Sequence, residues 1–124
     1  MAAQLKPLRS WLVLVVDDNQ DAADSMAEML RQSGHKVDVA YTGMSALARV
    51  RACCPEIVLC DLGLPELSGY DFAKAMRRDC PHTIRLVAIS GYAEPEDIRR
   101  SIESGFDAHI AKPATPADIQ RWFS

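Results

Sequence analysis

The sequence predicts a single α/β domain built on a parallel β-sheet. Three observations carry this. Short apolar runs alternate with stretches of helical periodicity along most of the 124 residues, a pattern of βαβ units. The runs Leu12-Val13-Leu14-Val15-Val16 and Ile57-Val58-Leu59-Cys60 are apolar without alternation, as in strands buried on both faces. Gly or Pro closes nearly every element.

Taken in order, Met1 to Ser10 reads as a flexible leader broken by Pro7, and residues 11–124 as the domain. Trp11–Val16 is the first strand and ends in Asp17-Asp18-Asn19. Gln20–Ser33 is a helix with Ala22, Met26, Met29, Leu30 and Ser33 as its apolar stripe, stopped by Gly34. Lys36–Ala40 alternates, with Val37 and Val39 on one face, and forms a strand near an edge. Thr42-Gly43 opens a helix over Met44–Ala52, with Leu47 and Val50 inward. Pro55 precedes the third strand, Ile57–Cys60, which ends at Asp61. A loop with Gly63, Pro65 and Gly69 leads to a helix over Tyr70–Arg78, with Phe72, Ala75 and Met76 inward, and Pro81 closes that region. Ile84–Ile89 is the fourth strand, terminated by Ser90-Gly91. Pro95 suits the first turn of a helix that runs to Ser104, where Ile98 and Ile102 fall four apart and Gly105 ends it. Ala108–Ala111 is the fifth strand, followed by Lys112-Pro113. Thr115-Pro116-Ala117-Asp118 supplies a cap, a first-turn proline and an acid for the last helix, which carries Ile119, Trp122 and Phe123. Five strands and five helices of this kind suit a three-layer, doubly wound sheet in the flavodoxin-like order 2-1-3-4-5, with strands one and three adjacent at the switch point.

Composition narrows the function. Hydrophobic residues make up 48%, which argues against disorder. No apolar run nears the ~20 residues of a membrane span, and no secretory signal opens the chain; a cytoplasmic location without membrane insertion is expected. The net charge of −3 provides no electrostatic footprint for nucleic acid. Cys53, Cys54, Cys60 and Cys80 lack metal-clip spacing and read as free thiols.

The chemistry gathers at the carboxyl ends of the strands, where open α/β sheets bind ligands. The 2-1-3-4-5 order brings Asp17 and Asp18 beside Asp61. Carboxylates so placed repel by about 4 kcal/mol per pair at 4 Å and an effective dielectric near 20. A divalent cation or Lys112, at the end of strand five, must offset this. An all-oxygen site with open positions suits Mg²⁺, or Mn²⁺ in its place. Asp18 and Asp61 are the expected direct ligands, with Asp17 acting through water and the Gly63 carbonyl completing the protein share. Singly, each residue has a plainer reading: Asp17 or Asp18 as a turn former or cap, Ser90 as a turn hydroxyl, Lys112 as a surface charge. Their succession at four strand ends favours one site.

The segments Val15-Val16-Asp17-Asp18-Asn19, Asp61-Leu62-Gly63-Leu64-Pro65, Gly69-Tyr70, Ser90-Gly91, Gly105-Phe106-Asp107-Ala108 and Lys112-Pro113, in this order and spacing, resemble the receiver domain of two-component response regulators. The resemblance covers nearly all of Trp11 to Phe123. It implies that Asp61 accepts a phosphoryl group from a histidine kinase or histidine phosphotransfer protein, with Mg²⁺ held by Asp18 and Asp61. It further implies that Lys112, the Ser90 hydroxyl and the N–H groups of Gly63 and Gly91 bind the phosphoryl oxygens, and that Lys112-Pro113 is cis. Such domains catalyse only their own phosphorylation and dephosphorylation. They relay the change through the hydroxyl residue and an aromatic on strand five to the face of helix four, strand five and helix five, where a downstream protein binds; Arg99, Arg100 and Gln120 are candidate contacts. The aromatic position is His109, where Tyr or Phe is usual, and its plainer reading is a surface strand residue. Tyr92 and Gly63 occupy positions that tune phosphoryl lifetime. The 92–95 segment and the 105–107 run are similar to receivers attached to hybrid kinases. Two alternatives remain open at this stage: an aspartyl phosphohydrolase, against which the short loops and Gly63 speak, and a degenerate receiver that acts only as an interaction module.

Overall fold

The computed structural model describes residues 10–80, 83–91 and 94–123. Expectations for the leader up to residue 9, for Pro81 and for Tyr92 fall outside these residues. The elements are β1 (Leu12–Val16), α1 (Gln20–Gln32), β2 (Lys36–Ala40), α2 (Gly43–Cys53), β3 (Ile57–Asp61), α3 (Gly69–Asp79), β4 (Arg85–Ser90), α4 (Pro95–Ser104), β5 (Ala108–Ala111) and α5 (Pro116–Gln120). The sheet runs β2-β1-β3-β4-β5, parallel throughout, with Val16 opposite Cys60 and Asp61 opposite Ile89. The expected order is the observed one.

Strand alternation divides the core in two. Leu14, Val16, Val58, Cys60 and Leu86 pack with Phe72 and Met76 beneath α2 and α3. Val13, Val15, Ile57, Leu59 and Val87 pack with Leu30 of α1 and Ile119 of α5 on the other face. Small polar caps begin four of the five helices, α4 being the exception. The side chains of Asn19, Thr42 and Ser68 accept from the N–H groups of Ala22, Ser45 and Asp71. Thr115 and Asp118 form a reciprocal capping box at α5, which satisfies two otherwise orphaned donors.

Two helix faces differ from expectation, and on a third the apolar spacing misleads. On α1 the buried residues are Ala23, Ala27 and Leu30; Ala22 is exposed, Met26 and Met29 are half-buried, and Ser33 is the C-cap. The small alanines let α1 approach the sheet closely, a choice that apolar spacing does not distinguish from its neighbour. On α3, Ala73 is buried where Ala75 is half-buried. On α4, Ile98 and Ile102 face solvent at 39% and 48% exposure, while Ser101 and Ser104 are buried; the apolar spacing there does not mark the inner face.

A network not visible in the sequence ties α3 to the far end of the sheet. Arg77 donates from Nε to the Gly105 carbonyl at 2.9 Å, from Nη1 to the Ile84 carbonyl at 2.7 Å and from Nη2 to Asp107 at 2.8 Å. The same Asp107 oxygen accepts from the Leu86 N–H at 2.8 Å. Gly105 sits at φ +117°, where a Cβ would also meet Arg77 Cγ at 2.8 Å, so both conformation and space call for glycine.

His35 is buried and its Nδ1 accepts from the Trp11 N–H at 3.2 Å, with its ring 4.7 Å from that of Phe123. Burial pushes its pKa down from the ordinary 6.5, so the folded state disfavours the proton. The stability this represents is complete above the ordinary imidazole value and falls as pH drops through it. Denaturation midpoints should therefore be lower at pH about 5.5 than at about 7.5, and His35→Gln should flatten part of that slope. An unchanged slope in the variant would assign the effect elsewhere.

Candidate functional site

The site is built by strand ends. β1 ends at Val16, opposite Cys60 on β3, so the residues that follow, Asp17 and Asp18, emerge beside Asp61. One oxygen from each of Asp17, Asp18 and Asp61 lies within 4.8 Å of the other two. The side chains of Asp17 and Asp61 are each 13% exposed, whereas Asp18 is open to solvent. Lys112 Nζ stands 3.8 Å from Asp17 Oδ2 and 3.6 Å from Asp61 Oδ1. These separations make ion pairs rather than close hydrogen bonds. The predicted convergence of three carboxylates and one ammonium is thus observed.

Local turn chemistry aims the groups. Asp17 Oδ1 accepts from the Asn19 N–H at 3.0 Å, an Asx-type turn, while Asn19 caps α1. Asp17 forms the turn through Oδ1 while its Oδ2 faces Lys112. Asp61 Oδ1 accepts from the Gly63 N–H at 3.3 Å. Any side chain at 63 would begin 3.9 to 4.0 Å from the two Asp61 oxygens, so glycine leaves the carboxylate uncovered. Ser90 is buried at the end of β4; its carbonyl accepts from the Lys112 N–H at 2.8 Å. Strand alternation puts its side chain on the face of Leu86 and Ala88. The Lys112–Pro113 bond is cis. Gly91 is exposed, with open space where a Cβ would project.

The electrostatics favour positive charge at this edge. Burial raises the Asp17 pKa; the Asn19 hydrogen bond and Lys112 oppose this, and the charges of Asp61 and Asp18 add to it. Directly before Asp61, the buried Cys60 thiol is pushed far up by burial and by the two neighbouring carboxylates. It stays protonated and lies 3.3 Å from the Asp61 carbonyl as a weak donor. Three carboxylates against one ammonium leave a net negative charge. Three hard oxygen donors this close, one of them solvent-facing, fit a divalent cation of the Mg²⁺ or Ca²⁺ type rather than a thiophilic metal. Beside them opens a cavity of about 430 Å³, whose walls include Asp17, Asp61, Lys112, Met26, Leu59 and Pro113.

His109 is half-buried on β5. Ala108 and Ile110 join the α1 and α5 core, so His109 points to the opposite face, toward α4. Its Nδ1 lies 3.3 Å from Ser101 Oγ, a partner absent from the expectations. Ser101 and Ser104 at a three-residue step on α4 were the available signal. Of the candidate partner contacts, Arg99 is exposed and bonded to Glu96, Gln120 is exposed, and the Arg100 guanidinium lies 4.1 Å from the Tyr70 ring centre, joining α4 to α3.

An acidic cluster and a lysine at the carboxyl edge of a 2-1-3-4-5 sheet define the class of CheY-like signalling domains. The chain belongs to the response regulator receiver domain family, whose model matches residues 13–123. A receiver domain protein (CheY-like) from Methanospirillum hungatei superimposes with a TM-score of 0.85 at 28% identity, covering 93% of this chain and 91% of that one. A response regulator from Burkholderia pseudomallei, solved with a phosphorylated aspartic acid, a calcium ion and citrate, matches with a TM-score of 0.81 at 30% identity, covering 86% of this chain and 62% of that one. The transcriptional regulatory protein CreB of Escherichia coli is 30% identical over 107 residues, which is 86% of this chain. The chain spans about half of that regulator, 46% of its length. Two-component signalling is therefore the setting of this domain, and a histidine kinase or phosphotransfer protein is the kind of partner it implies. Among the described residues, no helix is long and apolar enough to cross a membrane.

Proposed function

We propose that this domain is a phospho-accepting switch in which Asp61 receives the phosphoryl group. The observation that carries this reading is the convergence of Asp17, Asp18, Asp61 and Lys112 at one strand edge. An Asp61 oxygen attacks the phosphorus of a donor phosphohistidine in line. The P–O bond forms as the P–N bond breaks, and the imidazole leaves with the electron pair and takes a proton. Such a transfer asks the protein chiefly for positioning and charge neutralisation. Before transfer the Gly63 N–H holds the carboxylate in place, and the absence of a side chain at Gly63 leaves its outer face open. Lys112 pairs with one phosphoryl oxygen as a compact point charge, the Ser90 hydroxyl donates to another, and the N–H groups of Gly63 and Gly91 take the remainder. Asp18, Asp61 and the Gly63 carbonyl, with Asp17 through water, would hold a Mg²⁺ or Mn²⁺ ion, which would supply the positive charge that an incoming phosphoryl group requires. Phosphorylation then biases the face of α4, β5 and α5 between two states through Ser90 and His109, and a downstream protein reads the difference. Tyr92, together with Gly63, sets the phosphoryl lifetime.

The test is phosphorylation by a small acyl phosphate or phosphoramidate with Mg²⁺, followed by mass mapping of the adduct. One equivalent at Asp61 is expected. Labelling elsewhere, or catalytic turnover of phosphomonoesters without a stable adduct, would overturn the reading. Metal should also stabilise the unphosphorylated protein, because it relieves the carboxylate repulsion. At a Mg²⁺ concentration tenfold above its Kd the gain should be about 1.4 kcal/mol at neutral pH. It should fade as acid protonates the three carboxylates. A melting temperature indifferent to Mg²⁺ would contradict the metal assignment.

A further inference from the structure

The inner face of α4 is polar. Ser104 Oγ bonds back to the Arg100 carbonyl at 2.8 Å and is satisfied within the helix. Ser101, fully buried, differs. Its Oγ lies 2.7 Å from the Ile98 carbonyl and 3.3 Å from His109 Nδ1. A hydroxyl has one proton to give. At 2.7 Å from a carbonyl oxygen that proton lies between the two oxygens, since two bare oxygens so close would repel. The contact with His109 therefore needs the ring's proton: Nδ1–H donates to Ser101 Oγ. A neutral imidazole has one N–H, so Nε2 carries a bare lone pair. That atom is buried and has no hydrogen-bond partner among the described residues.

We propose that His109 and Ser101 form a proton-released latch between β5 and α4, closed while the ring is neutral with Nδ1–H on Ser101 and opened when a proton adds to the buried Nε2. Protonation would place an imidazolium with an unanswered N–H away from water, which is costly. The ring relieves this by swinging out to solvent, and the bond to Ser101 is then lost. Ser101 is the positioning residue, because it selects the tautomer that leaves Nε2 as the proton acceptor.

The surrounding charges do not cancel this. Among the described residues, the charge that acts on the ring is Asp97 of α4, which favours the proton, but burial, which disfavours it, is the larger effect. Arg100 of α4 lies instead over Tyr70 of α3. Opposite His109 on β4 is the uncharged Ala88. Flanking β5, Asp107 is paired with Arg77 and Lys112 with Asp17 and Asp61. The net direction is a pKa below the ordinary 6.5. The latch is therefore at full strength above the ordinary imidazole value and weakens as pH falls below it. It gives the α4–β5 face a response to acid that a Tyr or Phe at position 109 would lack.

The test uses the full unphosphorylated chain, so its failure is separate from any failure of the Asp61 reading. With imidazole nitrogens labelled, NMR at pH about 7.5 should show His109 as the Nδ1–H tautomer. On acidification its midpoint should fall below that of an ordinary imidazole, and amide resonances from Asp97 to Ser104 should shift with the same midpoint. His109→Phe should remove that shift of α4 while the His35 resonance still titrates, and Ser101→Ala should abolish the tautomer preference. An Nε2–H tautomer in the wild type, a midpoint at or above the ordinary value, or an α4 shift that survives His109→Phe would overturn the proposal. If His109→Phe does not fold, the wild-type tautomer and midpoint decide alone.

Discussion

Asp61→Asn should reduce phosphoryl labelling to background while leaving the fold intact. The substitution is close to isosteric, and the side-chain oxygen can still accept the Gly63 N–H. What it removes is the nucleophilic carboxylate and one of the three negative charges that gather the cation. Without metal the variant should be no less stable than the wild type, because the charge that raises the Asp17 pKa from Asp61 is gone. Acyl-phosphate labelling with mass detection measures the first effect and thermal unfolding the second. Undiminished labelling would remove Asp61 from its assigned role. Loss of labelling together with loss of folding would make the variant uninformative, and Asp61→Ala, which is smaller and uncharged, would then be the comparison.

Gly69→Ala should destabilise the protein by about 3 kcal/mol, the upper end of the range for overpacking, lowering Tm by roughly 10 °C. An added Cβ would lie 2.8 Å from the Asp61 carbonyl oxygen and 2.8 Å from Leu62 Cα. Both are backbone atoms, so no rotamer change relieves the contact. Relief requires the end of β3 to move away from the start of α3, and Asp61 moves with it. The variant should therefore also label more slowly than its stability alone explains. Gly91→Ala is the matched control, since a Cβ there meets nothing within 4 Å; its stability should stay within about 0.5 kcal/mol of wild type. Equal effects at the two glycines would refute the argument.

The strands were legible because a sheet covered on both faces leaves uninterrupted apolar runs, and Leu12–Val16 and Ile57–Cys60 are such runs; their order was expected as one of the two common doubly wound arrangements, and the observed pairing is that one. The ends were legible for a related reason. A buried strand that stops abruptly in Asp-Asp, Asp, Ser or Lys has little use for those groups unless they share a purpose. Helix faces were less legible. Apolar spacing on α1 points equally to Ala22 or Ala23, and only close packing against the sheet selects Ala23. On α4 the spacing points to Ile98 and Ile102, yet both are exposed, and the inner positions are taken by Ser101, which meets His109, and Ser104, which bonds back to the Arg100 carbonyl. The bonds of Arg77 to Gly105 and Asp107, and that of His35 to Trp11, join residues too far apart in sequence for any local pattern to reveal.

By itself, then, the sequence determined the alternation of buried strands with helices, hence a parallel sheet, and the identity of the groups at the strand ends, since these follow from burial periodicity and from what a strand can tolerate at its end. The tertiary structure alone decided how those groups stand: Lys112 at ion-pair distance from both Asp17 and Asp61, Asp17 shared between a turn and the site, and His109 against Ser101 rather than in water. Such relations depend on which helix covers which strand and at what depth, and they arise from packing between segments that carry no local mark of each other.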